Sequence, residues 1–182
     1  MNNYINMEFY DSIHMEECIM LDTFIIDKKN EFLSKIETEI AKKSIYDLSY
    51  DIRFYKNIAS LHYILYVDSG GAHSIRYDKV FYYDLVNNKE LFLEDLITNK
   101  DEFLKELSTL SEYLLKEKKN LLYDDVKMVK TGLTPTIENF SLLIFLEDNL
   151  QIIFPPYQVG PWSSGAISIK IPYLSIENYL KV

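Results

Sequence analysis

Gln151-Ile-Ile-Phe-Pro-Pro-Tyr-Gln-Val-Gly-Pro-Trp-Ser-Ser-Gly-Ala-Ile-Ser-Ile-Lys-Ile-Pro-Tyr173 decides how the chain is read. Leu150, Ile152 and Phe154 alternate with Gln151 and Ile153, and Ile167, Ile169 and Ile171 alternate with Ser168 and Lys170. That two-residue period marks half-buried strands. Between them lie Pro155, Pro156, Pro161, Gly160 and Gly165, which predict a loop of one shape, since proline fixes φ and glycine permits φ > 0. Tyr157 and the only tryptophan, Trp162, sit in this loop. Two readings stay open. In the commoner one, both aromatics cap a packed crossover. In the other, the loop is a preformed recognition surface held by a rigid scaffold.

Working outward, the period of two returns upstream. Tyr50, Ile52 and Phe54 alternate with charged and polar residues, Lys56-Asn57 turns the chain, and Ala59 to Val67 alternates again, which predicts a hairpin. Gly70-Gly71 interrupts the pattern before a strand over Ile75–Leu85, and Asn87-Asn88 suits a tight turn leading to Leu91 and Leu93. Residues 4–26 read as strands with a turn at Asp11-Ser12. Asp27 reads as an N-cap for a helix over about 28–43, from Phe32, Ile36 and Ile40 at i+4 spacing. Asp101 similarly opens a helix over about 102–118, residues 120–136 read as polar and irregular, Phe140–Leu146 as a strand, and Ile176–Leu180 as a closing helical turn. The expected fold class is α+β, a mainly antiparallel sheet or sheets with two principal amphipathic helices. The 182 residues form either one domain or two lobes, about 1–97 and 98–182.

Composition narrows function by exclusion. Net charge is −9, which argues against nucleic acid as a partner and suits attraction of a cationic protein. Aromatic content of 14% favours strands. Cys18 is the single cysteine, so no internal disulfide forms and the redox compartment stays open. No apolar run is long enough to span a bilayer, and Met1–Glu8 has neither a basic nor an apolar leader region. The chain is thus expected to be cytosolic, or to follow a leader or anchor outside this sequence.

Chemical motifs are sparse. His14, His62 and His73 lack metal-ligand spacing, and His14 with Glu16 supplies two ligand types but no third, so neither metal nor cofactor is expected. The neighbouring acids Glu16-Glu17, Glu94-Asp95 and Asp124-Asp125 point to opposite faces of an extended chain and are not ready acid/base pairs. No nucleophile pairs with a base. A non-enzyme is expected; the rival is a hydrolase or deacetylase of cell-wall glycan, joining His73 to Asp68 or Asp84 in a cleft.

Three pieces carry a resemblance: Asp68-Ser-Gly-Gly-Ala-His73, then Tyr83-Asp-Leu-Val-Asn-Asn-Lys-Glu-Leu-Phe-Leu-Glu-Asp-Leu96, then Phe154–Gly165 running into Ile169-Lys-Ile-Pro-Tyr173. In order and spacing, over residues 20–180, they resemble the RsiV-like family. That family comprises the extracytoplasmic domain of lysozyme-responsive anti-sigma factors and an accessory domain of peptidoglycan deacetylases. The resemblance implies a non-catalytic α+β module of the bacterial envelope that binds a protein, in particular a lysozyme-like cationic hydrolase, or peptidoglycan. Gly70, Gly71, His73, Tyr157 and Gly165 carry over as motif positions, and Gly160 and Trp162 complete the candidate binding set. The sigma-binding segment of those regulators has no counterpart here, so the expected role is sensor ectodomain, inhibitor or immunity protein.

Overall fold

The computed structural model describes residues 4–5, 15–37, 45–68, 70–117 and 126–181. The chain divides into two compact units, Met1–Leu91 and Phe92–Val182.

In the first unit the described residues form β1 (Tyr4–Ile5), α1 (Met15–Glu37), β2 (Ile45–Tyr55), β3 (Ile58–Asp68), β4 (Ile75–Asp84) and β5 (Lys89–Leu91). The strands make one sheet in the order β1-β2-β3-β4-β5, antiparallel except for the short parallel pair β1–β2. The expected hairpin is present, with Tyr55 opposite Ile58 across the Lys56-Asn57 turn. Lys56 and Asn88 adopt φ of 51° and 50°, the left-handed values that tight turns require.

One sheet face, through Leu48, Ile52, Phe54, Leu61, Tyr63, Leu65, Phe81 and Tyr83, packs with Leu21, Phe24, Ile25, Phe32 and Ile36 of α1. Those helix positions recur every three to four residues, so one stripe meets the sheet. The Tyr63 hydroxyl donates to the Ile25 carbonyl at the centre of this layer, and burial pushes its pKa up.

α1 corrects the sequence reading. Its start at Met15 replaces the predicted strand over residues up to 26, Asp27 lies inside the helix rather than at its cap, and the helix, Met15–Glu37, begins well before the expected 28, while residues 38–43 of the expected range lie outside the described residues. The Asp11-Ser12 turn, His14 and Asp124-Asp125 lie outside the described residues, as do the side chains of Glu16, Glu17 and Cys18.

The second unit contains α2 (Leu93–Leu96), α3 (Lys100–Glu117), α4 (Val126–Gly132), β6 (Leu143–Phe145), β7 (Asn149–Phe154) and β8 (Ile167–Pro172). β6-β7-β8 is an antiparallel sheet, with Phe154 opposite Ile167. Asn99 rather than Asp101 caps α3: its Oδ1 accepts from the Glu102 amide at 3.4 Å. Phe103, Leu107 and Leu115 of α3 are fully buried, as are Phe140, Phe145, Leu150, Ile152, Phe154 and Ile171. Two short 3-10 turns follow β8, Tyr173–Ser175 and Glu177–Tyr179, the second within the helical turn expected over Ile176–Leu180. The predicted irregular stretch 120–136 is corrected over Val126–Gly132, which is α4, while residues 120–125 lie outside the described residues.

Asp84 ties two hairpins together. Its carboxylate accepts from the amides of Val86 and Asn87 at 3.0 and 3.1 Å, and from the side chains of Asn87 and Asn57 at 2.7 and 3.0 Å. Burial would raise its pKa, but these bonds prevail and hold it below the ordinary carboxylate value. On the polar sheet face Asp78 is held in the same way: burial opposes, yet Arg76 at 2.6 Å and His62 at 2.7 Å lower its pKa.

Removing the Asp84 carboxylate leaves four donors without their acceptor. Asp84→Ala should therefore lower unfolding free energy by about 3 kcal/mol in a denaturant titration. Both carboxylates have folded pKa values below their unfolded ones. Their contribution is thus complete above about pH 4 and is lost as pH falls through the depressed folded values. An acid titration of Asp78→Asn should show a flatter loss of stability than the parent. An unchanged acid limb contradicts this assignment.

Candidate binding site

The loop between β7 and β8 is built from its own backbone. The Tyr157 amide donates to the Gly160 carbonyl at 2.9 Å, and the Gln158 amide to the Pro155 carbonyl at 3.1 Å. A 3-10 turn over Trp162–Ser164 follows, with Ser164 N bonded to Pro161 O at 3.0 Å and Gly165 N to Trp162 O at 2.9 Å. Gly165 has φ of 65°, accessible to glycine without cost. Gly160 is buried, and a Cβ there would lie 3.0 Å from Ile167 Cδ1. The residue the loop sends into the core is Val159, 1% exposed.

Tyr157 does the opposite. It is 55% exposed and holds φ of 72°, a left-handed conformation that costs a bulky residue free energy. Its ring lies 6.1 Å from that of half-buried Trp162, tilted by 34°.

α4 docks on this loop at its C-terminus. A Cβ on Gly132 would come 2.0 Å from the Gln158 carbonyl oxygen and 3.0 Å from Val159 Cγ1. The carbonyls freed at the helix end find side-chain amides. Gln158 Nε2 donates to Gly132 O at 2.9 Å and to Asn139 O at 2.8 Å, while Asn139 Nδ2 donates to Thr131 O and Thr134 O, both at 3.0 Å. The result is an open groove of about 410 Å³, lined by Lys127, Met128, Thr131, Asn139, Tyr157 and Gln158.

The seven sequence candidates fall in two loops. Tyr157, Gly160, Trp162 and Gly165 share the β7–β8 loop of the second unit. Gly70, Gly71 and His73 belong to the other unit, in the exposed β3–β4 loop, where Gly70 takes φ of 85° and its amide is held by Asp68 Oδ1 at 2.8 Å. His73 Nδ1 faces the Ser74 carbonyl at 3.2 Å. Asp84, the other acid considered for an active site, is bound to the asparagines of its turn. Among the described residues no cluster of three or more His, Cys, Asp or Glu has metal-holding geometry, and no helix is long and apolar enough to cross a membrane.

Sequence reading missed Lys127, Met128, Thr131, Asn139 and Gln158. One signal was available: Gly132 ends α4, Lys130 stands in its last turn and Pro135 follows, the pattern of a helix stop.

Residues 94–174 match the model of a family described as "Protein of unknown function (DUF3298)". The matched stretch contains the whole groove. Two crystal structures of DUF3298 family proteins are similar. One, from Pseudomonas aeruginosa PAO1, has a TM-score of 0.60 at 19% identity, over 82% of this chain and 68% of that one. The other, from Bacteroides fragilis NCTC 9343, has a TM-score of 0.55 at 25% identity, over 82% of this chain and 61% of that one. The chain thus spans about two thirds of the first relative's length and less of the second's. No curated protein sequence matches. The likeness shows a shared α+β fold, and the DUF3298 description brings no ligand with it.

Gly132→Ala should be among the most disruptive small substitutions in the second unit, because the Cβ meets backbone rather than a movable side chain. A loss of about 2 kcal/mol or more is expected in thermal or denaturant unfolding. A variant as stable as the parent would show that α4 and the loop separate easily.

Proposed function

We propose that the protein is a non-catalytic binding module of the bacterial envelope, working outside the cytoplasmic membrane, and that its partner is a cationic wall-degrading hydrolase such as a lysozyme, met in a sensing, inhibitory or immunity role. Tyr157 is the observation that carries this reading. It is a bulky residue held at φ of 72° with its ring 55% exposed, on a loop stiffened by prolines and its own hydrogen bonds. Strain of this kind costs about 1–3 kcal/mol and clusters at functional sites. A stiff loop loses little entropy on docking, and Tyr and Trp are the side chains that most often anchor interfaces. The RsiV-like resemblance supplies the partner class and the compartment, and a net charge of −9 steers a basic partner toward the chain.

Calorimetry against a panel of lysozymes tests the reading. Trp162→Ala and Tyr157→Gly should each weaken binding by about 2 kcal/mol or more, roughly thirtyfold. Glycine accepts the left-handed φ, so Tyr157→Gly removes the ring without adding strain, and its melting temperature should move by less than about 3 °C. Failure of every cationic hydrolase to bind overturns the partner. A large fall in melting temperature with unchanged affinity returns both aromatics to a packing role.

A further inference from the structure

The groove beside Tyr157 is lined in part by two side-chain amides whose orientation is fixed. Asn139 commits both amide hydrogens to the Thr131 and Thr134 carbonyls, and Gln158 commits both of its own to the Gly132 and Asn139 carbonyls. Carbonyl oxygens only accept, so turning either amide over would set oxygen against oxygen and lose two bonds. Each side chain is therefore left with its oxygen to offer. Asn139 Oδ1 and Gln158 Oε1 have no hydrogen-bond partner among the described residues, and both residues are half-buried. Capping of α4 accounts for the nitrogens of these amides. It does not account for two acceptors of fixed orientation on residues that line one open groove.

The rest of the lining restricts what can enter. Tyr157 offers an exposed aromatic ring, Met128 a short apolar surface, Thr131 a hydroxyl and Lys127 a cationic donor at the rim. A purely apolar ligand would strip water from two acceptors without replacing it. An anion would face two carbonyl oxygens with one lysine to compensate. A peptide main chain brings as many acceptors as donors to two amides that only accept. A sugar ring fits all three conditions: its C–H face stacks on an aromatic ring, each hydroxyl rotates to donate, and an acetamido group adds an N–H. A volume of about 410 Å³ lies in the range of small-ligand pockets.

We propose that this groove is a saccharide-binding site, with Tyr157 as the stacking platform and Asn139 Oδ1 and Gln158 Oε1 as the acceptors for sugar hydroxyl or acetamido donors. The proposal goes beyond the hydrolase reading and concerns a second, small ligand.

The test is a titration of the isotope-labelled full chain, followed by nuclear magnetic resonance, with the tetrasaccharide of N-acetylglucosamine and with cellotetraose. The side-chain amide signals of Asn139 and Gln158 and the backbone signal of Thr131 should shift, with a dissociation constant of about 0.1–5 mM for at least one sugar. Tyr157→Gly should weaken that binding at least about tenfold, while Tyr157→Trp keeps it within about threefold. Tyr157→Asn, whose side chain tolerates left-handed φ, is the second ring-free variant should the glycine variant prove poorly folded. Silence at those three residues with about 20 mM of either sugar overturns the proposal. So do shifts that survive loss of the ring. Sugar binding without hydrolase binding leaves this inference standing and removes the proposed partner; the opposite result removes this inference alone.

Discussion

The candidate site depends on the missing side chain of Gly132. The end of α4 approaches the β7–β8 loop so closely that a Cβ would stand 2.0 Å from a carbonyl oxygen. That approach brings the free carbonyls of the helix end within reach of Gln158 and Asn139, which bridge α4, the following turn and the loop. The same loop carries Tyr157 outward and Val159, two residues later, inward. One close backbone contact thus sets a helix end, a pair of fixed amides and an exposed ring at once. A side chain at position 132 would displace all three together, because the atom it meets is main chain.

The first unit rests on a different device, a two-faced sheet. Alternation along β2, β3 and β4 sends Leu61, Tyr63 and Leu65 to the α1 layer and Ser60, His62 and Asp78 to the other face. Asp51 on that face shows the cost of burying charge. Burial raises its pKa, with Arg53 and His62 pulling the other way, and its Oδ1 has no partner among the described residues. Asp78, a few ångströms from two donors, is driven in the opposite direction. Two like residues on one sheet face titrate oppositely because one has its donors and the other is short of them.

How legible each element was follows from where its signal is local. The β2–β3 hairpin and the β7–β8 pair were readable because alternation, turn residues and register agree within a few residues. α1 was not, and Lys28 is the reason. It occupies the buried stripe between Ile25 and Phe32, where its stem is 14% exposed and its ammonium bridges Glu31 and Glu90 at 2.7 Å each, over the rings of Phe24 and Phe81. Burial would lower its pKa, but the two carboxylates raise it, so the charge is kept. A lysine in the stripe, with Ile19 and Ile26 more than half exposed outside it, disguises the helical period. Glu90 comes from a strand 62 positions later, so no window on the sequence reveals the pairing. The site divides in the same way. The loop residues Tyr157 and Trp162 announce themselves by type, whereas Asn139 and Gln158 acquire meaning only once α4 ends beside them.

Strain bears on both readings of the aromatic loop. A side chain buried for packing returns about 1.5–3 kcal/mol to the fold, enough to hold an unfavourable φ without further cause. Tyr157, more than half exposed, returns less, and its tilted contact with Trp162 contributes about 0.5–1.5 kcal/mol. The left-handed backbone costs a comparable amount. Val159, two residues on and 1% exposed, shows what the loop does contribute to the core. The division of labour within these three residues sends Val159 into the core and keeps the Tyr157 ring at the surface.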